Sequence, residues 1–194
     1  MPSKREASAS ETAEQRIGPA LKRLRESAGL SLRTLADQIG FSASFLSQAE
    51  NGVVSPSINS LEKMASALGV TLADLFSVEP TTEGAVVRAH ARPNFRSAWS
   101  KARIDALMPS GGSRTLEALM VMLEGGGSSG KHPATSRVDQ FAIVWDGRIV
   151  LTHAGDEIVL NTGDSVLVRA RTPHRWHNPG RDAAQILIVS SRVT

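Results

Sequence analysis

The chain contains no cysteine. That absence removes disulfides, thiol nucleophiles and thiolate metal sites together, and it fits a reducing compartment. No apolar stretch approaches the roughly 20 residues needed to cross a bilayer. The N-terminus, MPSKREASASETAEQR, lacks the hydrophobic region of a secretory signal, so a cytoplasmic chain without membrane contact is expected. Serine-nucleophile motifs, phosphate-binding loops and dinucleotide fingerprints are also missing, which leaves the enzyme classes that depend on them without support. Nor is there an excess of positive charge in the first part of the chain, where residues 1–79 carry 8 Lys and Arg against 9 Asp and Glu.

What is present divides into two patterns. With 194 residues the chain can fold two small domains, each with its own core. Residues 30–52, LSLRTLADQIGFSASFLSQAENG, read as two short amphipathic helices around a glycine turn. Leu35, Ala36 and Ile39 share one face of the first, and Phe45, Leu46 and Ala49 share one face of the second. Ser31 and Ser42 stand where a hydroxyl can cap each helix, and Gly40 stands where the first must stop. A preceding helix is expected over Ala13–Ser27, a fourth from Ile58 to Gly69, and a short fifth over Leu72–Phe76. The outward side of the second short helix offers Ala43, Ser44, Ser47 and Gln48, small or hydrogen-bonding side chains able to reach base edges in a major groove. An ordinary solvated helix face is the alternative.

The run Leu35, Ala36, Gly40, Ser42, Leu46, Ser47, Glu50, Asn51, Gly52, followed by Ser55, Pro56, Ser57, Leu61, Ala65, Leu68, Gly69, Val70 and Leu75, closely resembles the helix-turn-helix domain of the xenobiotic-response-element family, relatives of the Cro and lambda repressors. The resemblance spans about residues 13–77 and implies a five-helix bundle that binds double-stranded DNA. It implies base reading by Ala43, Ser44, Ser47 and Gln48, phosphate contacts from Arg33, Ser42, Asn51 and Ser57, and an internal pair between Arg25 and Glu50. Leu32 departs from relatives that carry a polar, DNA-touching residue there. Because the reading domain is nearly neutral, a homodimer is expected, or help from the carboxylate-free cluster Arg88, His90, Arg92, Arg96, Lys101 and Arg103. These cations could equally pair with acids of the second domain.

From about Ile104 the pattern changes to strand-length runs rich in β-branched residues, with turns at Asp146-Gly147 and Asn161-Thr162-Gly163-Asp164 that suggest an antiparallel meander. Gly147, the Gly163-Asp164 pair, Pro173-His174 and Asn178 are similar to the motifs of the cupin family, small double-stranded β-helix barrels. Together the two resemblances imply an α + β multidomain regulator: a disordered tail over 1–12, a helix-turn-helix domain over 13–77, a linker with the basic cluster over 78–103, and an all-β cupin barrel over 104–194. Cupin enzymes hold a divalent metal through two histidines, a glutamate and a later histidine; here those positions are His132, Ala134, Gln140 and His174. Alanine has no lone pair and an amide is a weak substitute for a carboxylate. Asp139 should point out of the barrel by strand alternation, and His153 and His177 suit its surface or rim.

No metal and no cofactor are therefore expected, and His132, Gln140, His174 and Trp176 are expected to line a pocket for a small-molecule effector of unknown identity. A filled barrel serving only for dimerisation is the competing reading of that half. For the whole chain, the reading is a sequence-specific transcriptional regulator rather than an enzyme; the rival is a metal-dependent cupin enzyme with an autoregulatory DNA-binding domain.

Overall fold

The computed structural model describes residues 13–76, 86–108 and 116–191. The expected tail over residues 1–12 lies outside the described residues. Four α-helices come first: α1 Ala13–Ser27, α2 Leu32–Ile39, α3 Ala43–Glu50 and α4 Ile58–Ala67. Their starts follow from hydroxyl caps. Ser31, Ser42 and Ser57 accept from the amides of Thr34, Phe45 and Ser60 at 3.0, 3.1 and 3.0 Å. Gly40 ends α2 at φ 71°, ψ 34°, a left-handed conformation that costs glycine little. Leu21, Leu35, Leu46, Leu61 and Met64 are fully buried in the helical core. Burying each such side chain contributes about 1.5–3 kcal/mol. Leu32 packs partly buried against this core, which accounts for an apolar residue at that position.

The expected fifth helix over Leu72–Phe76 is a 3-10 turn, Ala73–Phe76. Thr71 and Asp74 form a reciprocal cap: the Asp74 carboxylate accepts from the Thr71 amide at 2.8 Å and its hydroxyl at 2.9 Å. A single four-residue turn follows, too short to establish an i→i−4 ladder.

Beyond a short 3-10 turn, Ala89–Ala91, nine strands follow: β1 Asn94–Ser97, β2 Ala102–Ala106, β3 Leu116–Leu123, β4 Gln140–Asp146, β5 Arg148–His153, β6 Asp156–Asn161, β7 Ser165–Val168, β8 His174–His177 and β9 Ala184–Ser191. They form an antiparallel six-stranded sheet, order β1-β2-β3-β9-β4-β7, and a three-stranded sheet, order β6-β5-β8. Among the described residues the sheet is not closed into a barrel, contrary to expectation. Asp146-Gly147 and Asn161–Asp164 are corners between sheets rather than hairpin turns, because β4 pairs with β7 and β9 while β5 pairs with β6 and β8. The hairpin joining β5 to β6 instead turns at Ala154-Gly155, both at positive φ (53° and 104°), which matches the twist of the flanking strands.

The sheet also begins earlier than expected. β1 and the start of β2 occupy part of the stretch read as linker, where Phe95 is buried. Alternating burial along β3 and β9 turns Leu119, Val121, Ile186 and Ile188 toward the three-stranded sheet, whose Ile149, Leu151 and Trp176 face them in the core.

Candidate nucleic-acid interface and ligand cavity

α3 buries Leu46, Ala49 and Glu50 and exposes Ala43, Ser44 and Gln48, with Ser47 half-buried between the two faces. α1 holds the helix from behind. A Cβ at Gly18 would stand 2.4 Å from the Glu50 carbonyl oxygen, so α1 can approach the end of α3 only with glycine there. Arg25 grips the same end: its guanidinium donates to both Glu50 carboxylate oxygens, at 2.6 and 2.9 Å, and to the Leu30 carbonyl at 2.8 Å. The hydrogen bond to Glu50 raises the Arg25 pKa further above its ordinary value, against the opposing effect of burial. Removing one member of a buried pair of this kind costs about 3–5 kcal/mol.

Beside this face Arg33 is exposed on α2, Ser42 is exposed at the α3 cap, and Asn51 is exposed with its amide donating to the Ser47 carbonyl at 2.8 Å. Ser57 is different. The residue is 3% exposed, with its hydroxyl capping α4 and facing Gly130 of the second domain, so it is covered rather than open to a phosphate. The basic cluster divides. Arg103 pairs with Asp105 at 2.6 Å, and exposed Arg96 stands 3.9 Å from exposed Glu124. Arg88, His90 and Lys101 are exposed. The β1–β2 turn that carries Arg96 and Lys101 is tied to the segment after α3, because Trp99 Nε1 donates to the Ser55 carbonyl at 2.9 Å and the Ser55 hydroxyl donates to the Arg96 carbonyl at 3.3 Å.

The helical domain and the sheets also meet around a cavity of about 450 Å³. Asn59, Glu62 and Ser66 of α4 line one side; Leu119, Val121 and Ile188 of the large sheet line another; Gln140, His174 and Trp176 complete it. Around the cavity, four hydrogen bonds join the two halves, beside those made by Ser55. Asn59 donates from its amide nitrogen to the Ser129 carbonyl at 2.9 Å and from Nδ2 to the His132 carbonyl at 2.7 Å. Arg137 donates to the Ser66 carbonyl at 2.9 Å, and Gln140 Nε2 donates to a Glu62 carboxylate oxygen at 3.0 Å. Burial raises the Glu62 pKa above the usual carboxylate range; the electrostatic effect of His174 and the bond from Gln140 oppose that rise.

Of the expected pocket residues, Gln140, His174 and Trp176 come together, with the His174 and Trp176 rings edge to face at 6.2 Å. His132 does not join them. It is exposed and outside the cavity lining, because residues 130–138 run as loop with one bridge, Ala134 to His174, and strand alternation does not extend to them. Asp139 points away as expected, accepting from the Ala170 amide at 2.8 Å and pairing with Arg169 at 3.2 Å.

The residues at the metal positions of a cupin enzyme do not fit a divalent ion. Ala134 supplies no donor, His132 lies elsewhere, and the Gln140 amide is committed to Glu62. Sequence reasoning missed Glu62 and Asn59 altogether. Their signal was a polar stripe on α4, with Asn59, Glu62 and Ser66 at i, i+3 and i+7 beside the apolar core stripe.

A helix-turn-helix family model matches residues 21–75 and a cupin domain model matches residues 119–190. The chain is 26% identical over 178 residues to the HTH-type transcriptional regulator PuuR of Escherichia coli (strain K12), covering 91% of this chain and 95% of that protein. It is 43% identical over 63 residues to the control protein C.MunI of a Mycoplasma species, covering 32% of this chain and 85% of that protein. An HTH_3 family transcriptional regulator from Vibrio cholerae has the same fold, with a TM-score of 0.74 at 24% identity, over 93% of this chain and 97% of that one. With an exposed face on α3 and a relative of 43% identity across the helix-turn-helix region, the chain belongs to the helix-turn-helix family of DNA-binding transcriptional regulators, and it carries a C-terminal cupin domain.

Proposed function

We propose that the protein reads a specific duplex with the exposed face of α3 and does so as a homodimer whose affinity is set by a small molecule in the cupin domain. The exposed side of α3 carries this reading. It offers Ala43, Ser44 and Gln48 outward while Leu46, Ala49 and Glu50 anchor the helix, so the side chains that reach base edges stand on a fixed support. Arg33, Ser42 and Asn51, exposed around it, are placed to meet phosphates. Such a protein works in the cytoplasm, with the DNA it binds; among the described residues no helix is long and apolar enough to cross a membrane. Selecting duplexes from a random pool with the purified full chain at low ionic strength, then sequencing them, tests the reading. Enrichment of a two-fold symmetric site is expected, and an unenriched pool would overturn it.

Dimerisation is supported by the outer face of the large sheet. Phe141 and Leu167 are cross-strand partners, 45% and 47% exposed, and Phe141 also pairs with Val189, which pairs with Ala118. Ile143 beside Leu187, itself opposite Met120, extends the apolar face. A continuous apolar sheet face of this kind marks an interaction surface, and a second copy is the occupant that a nearly neutral reading domain requires.

Effector sensing is supported by the cavity, whose walls are mostly apolar with a few converging polar groups. Because α4 forms one wall, a ligand with different affinity for two placements of the helical domain would shift operator affinity by that difference and no more. The cupin domain acts in this reading as a binding module rather than an enzyme, since the metal-holding positions lack the donors the chemistry needs.

A further inference from the structure

The cavity carries a carboxylate beside an amide oxygen that has no partner. Gln140 Oε1 is buried without a hydrogen-bond partner. Its orientation is fixed chemically, because Nε2 donates to the Glu62 carboxylate and a flipped amide would set oxygen against oxygen. Only one oxygen of Glu62 receives that bond, and no Lys, Arg or His among the described residues forms an ion pair with it. His174 Nδ1 lies 3.0 Å from the Thr172 carbonyl and donates to it, which fixes the ring against the cavity wall. Two donors on the lining are already engaged, Asn59 Nδ2 with the His132 carbonyl and one Arg137 nitrogen with the Ser66 carbonyl. An acceptor-rich, carboxylate-bearing pocket with apolar walls leaves the desolvation cost of each unpaired acceptor unmet until a donor arrives.

We infer that this cavity is an interdomain site for a small organic cation, in which the carboxylate of Glu62, supplied by the DNA-binding domain, and the unpartnered amide oxygen of Gln140 hold a compact donor group such as an ammonium, while Leu119, Val121 and Ile188 cover an apolar body. This deepens the effector reading above and rests on it. The carboxylate comes from α4 and the amide oxygen from the large sheet, so the ligand touches both domains at once. The structure thereby assigns a role to Glu62 that neither domain would provide alone.

The test uses the full chain and three probes with the same four-carbon scale but different heads: n-butylammonium, n-butyramide and n-butyrate. Calorimetric or ligand-observed NMR titration should rank them ammonium first and carboxylate last. Glu62→Gln, which keeps the shape and removes the charge, should weaken the ammonium at least tenfold and leave the amide within a few fold. Equal binding of ammonium and carboxylate, absence of binding by all three, or unchanged ammonium binding in Glu62→Gln would each overturn the assignment. The head-group ranking on the native chain decides the matter even where the variant fails to fold. Duplex binding measured on the same samples separates this outcome from failure of the DNA reading, since the native chain binds its selected duplex whether or not the probes bind.

Discussion

Burial raises the carboxyl pKa of Glu62 because the cavity wall replaces water around a charge; His174 and the Gln140 amide oppose the rise without cancelling it. A carboxyl group whose folded value lies above its reference of 4.5 binds more protons folded than unfolded across that interval. Its contribution to stability is therefore most favourable at acid pH and is lost as pH rises through the raised value. Glu62→Gln removes that dependence while keeping an oxygen to accept from Gln140. Thermal denaturation should show the variant gaining on the native chain as pH rises above 4.5, each kcal/mol appearing as about 2–4 °C in Tm. A constant difference in Tm across that range would contradict the raised pKa.

At the scale of elements, α3 is proposed to meet the duplex while α1 mounts it. Gly18 admits the close crossing and Arg25 clamps Glu50 at the end of the reading helix. Gln48→Ala should relax preference at one position of the selected duplex by about 1–3 kcal/mol, whereas Arg33→Ala should weaken all duplexes alike and reduce the salt slope by about one. Competition titrations with single-base variants of the duplex separate the two effects, and indifference of both changes would show that the assigned face is the wrong one.

Helices α2, α3 and α4 were legible because each announces itself twice, by apolar period and by a serine cap. Ser57 was legible as a helix start but not as a buried residue, since what covers it, Gly130, is distant in sequence. Strand runs were legible too. Their pairing was not: Asp146-Gly147 carries a hairpin signal, yet the packing partners of β4 and β5 send the strands into different sheets. Of the cavity, the sheet residues Gln140, His174 and Trp176 could be found from one domain alone. Glu62 could not, because its place depends on how α4 docks across the cavity mouth.

The whole molecule joins a nearly neutral reading domain to a sheet with an uncovered apolar face. Two copies packed through Phe141, Leu167 and Val189 would double the phosphate contacts and place two α3 helices on one duplex. Phe141→Glu combined with Leu167→Lys should shift the protein from dimer to monomer in light scattering after size exclusion. It should also weaken operator binding far more than it changes the thermal midpoint. A native chain that is monomeric both free and on DNA would remove the dimer from the mechanism.

Binding of the full chain to its own selected duplex, followed by fluorescence anisotropy across a range of salt, tests the DNA reading most directly. Log affinity should fall linearly with log salt, with a slope of about −0.9 for each phosphate neutralised, and the protected half-sites should lie about 10 base pairs apart, one turn of the duplex. A purified, folded chain that binds no duplex at low ionic strength would contradict it.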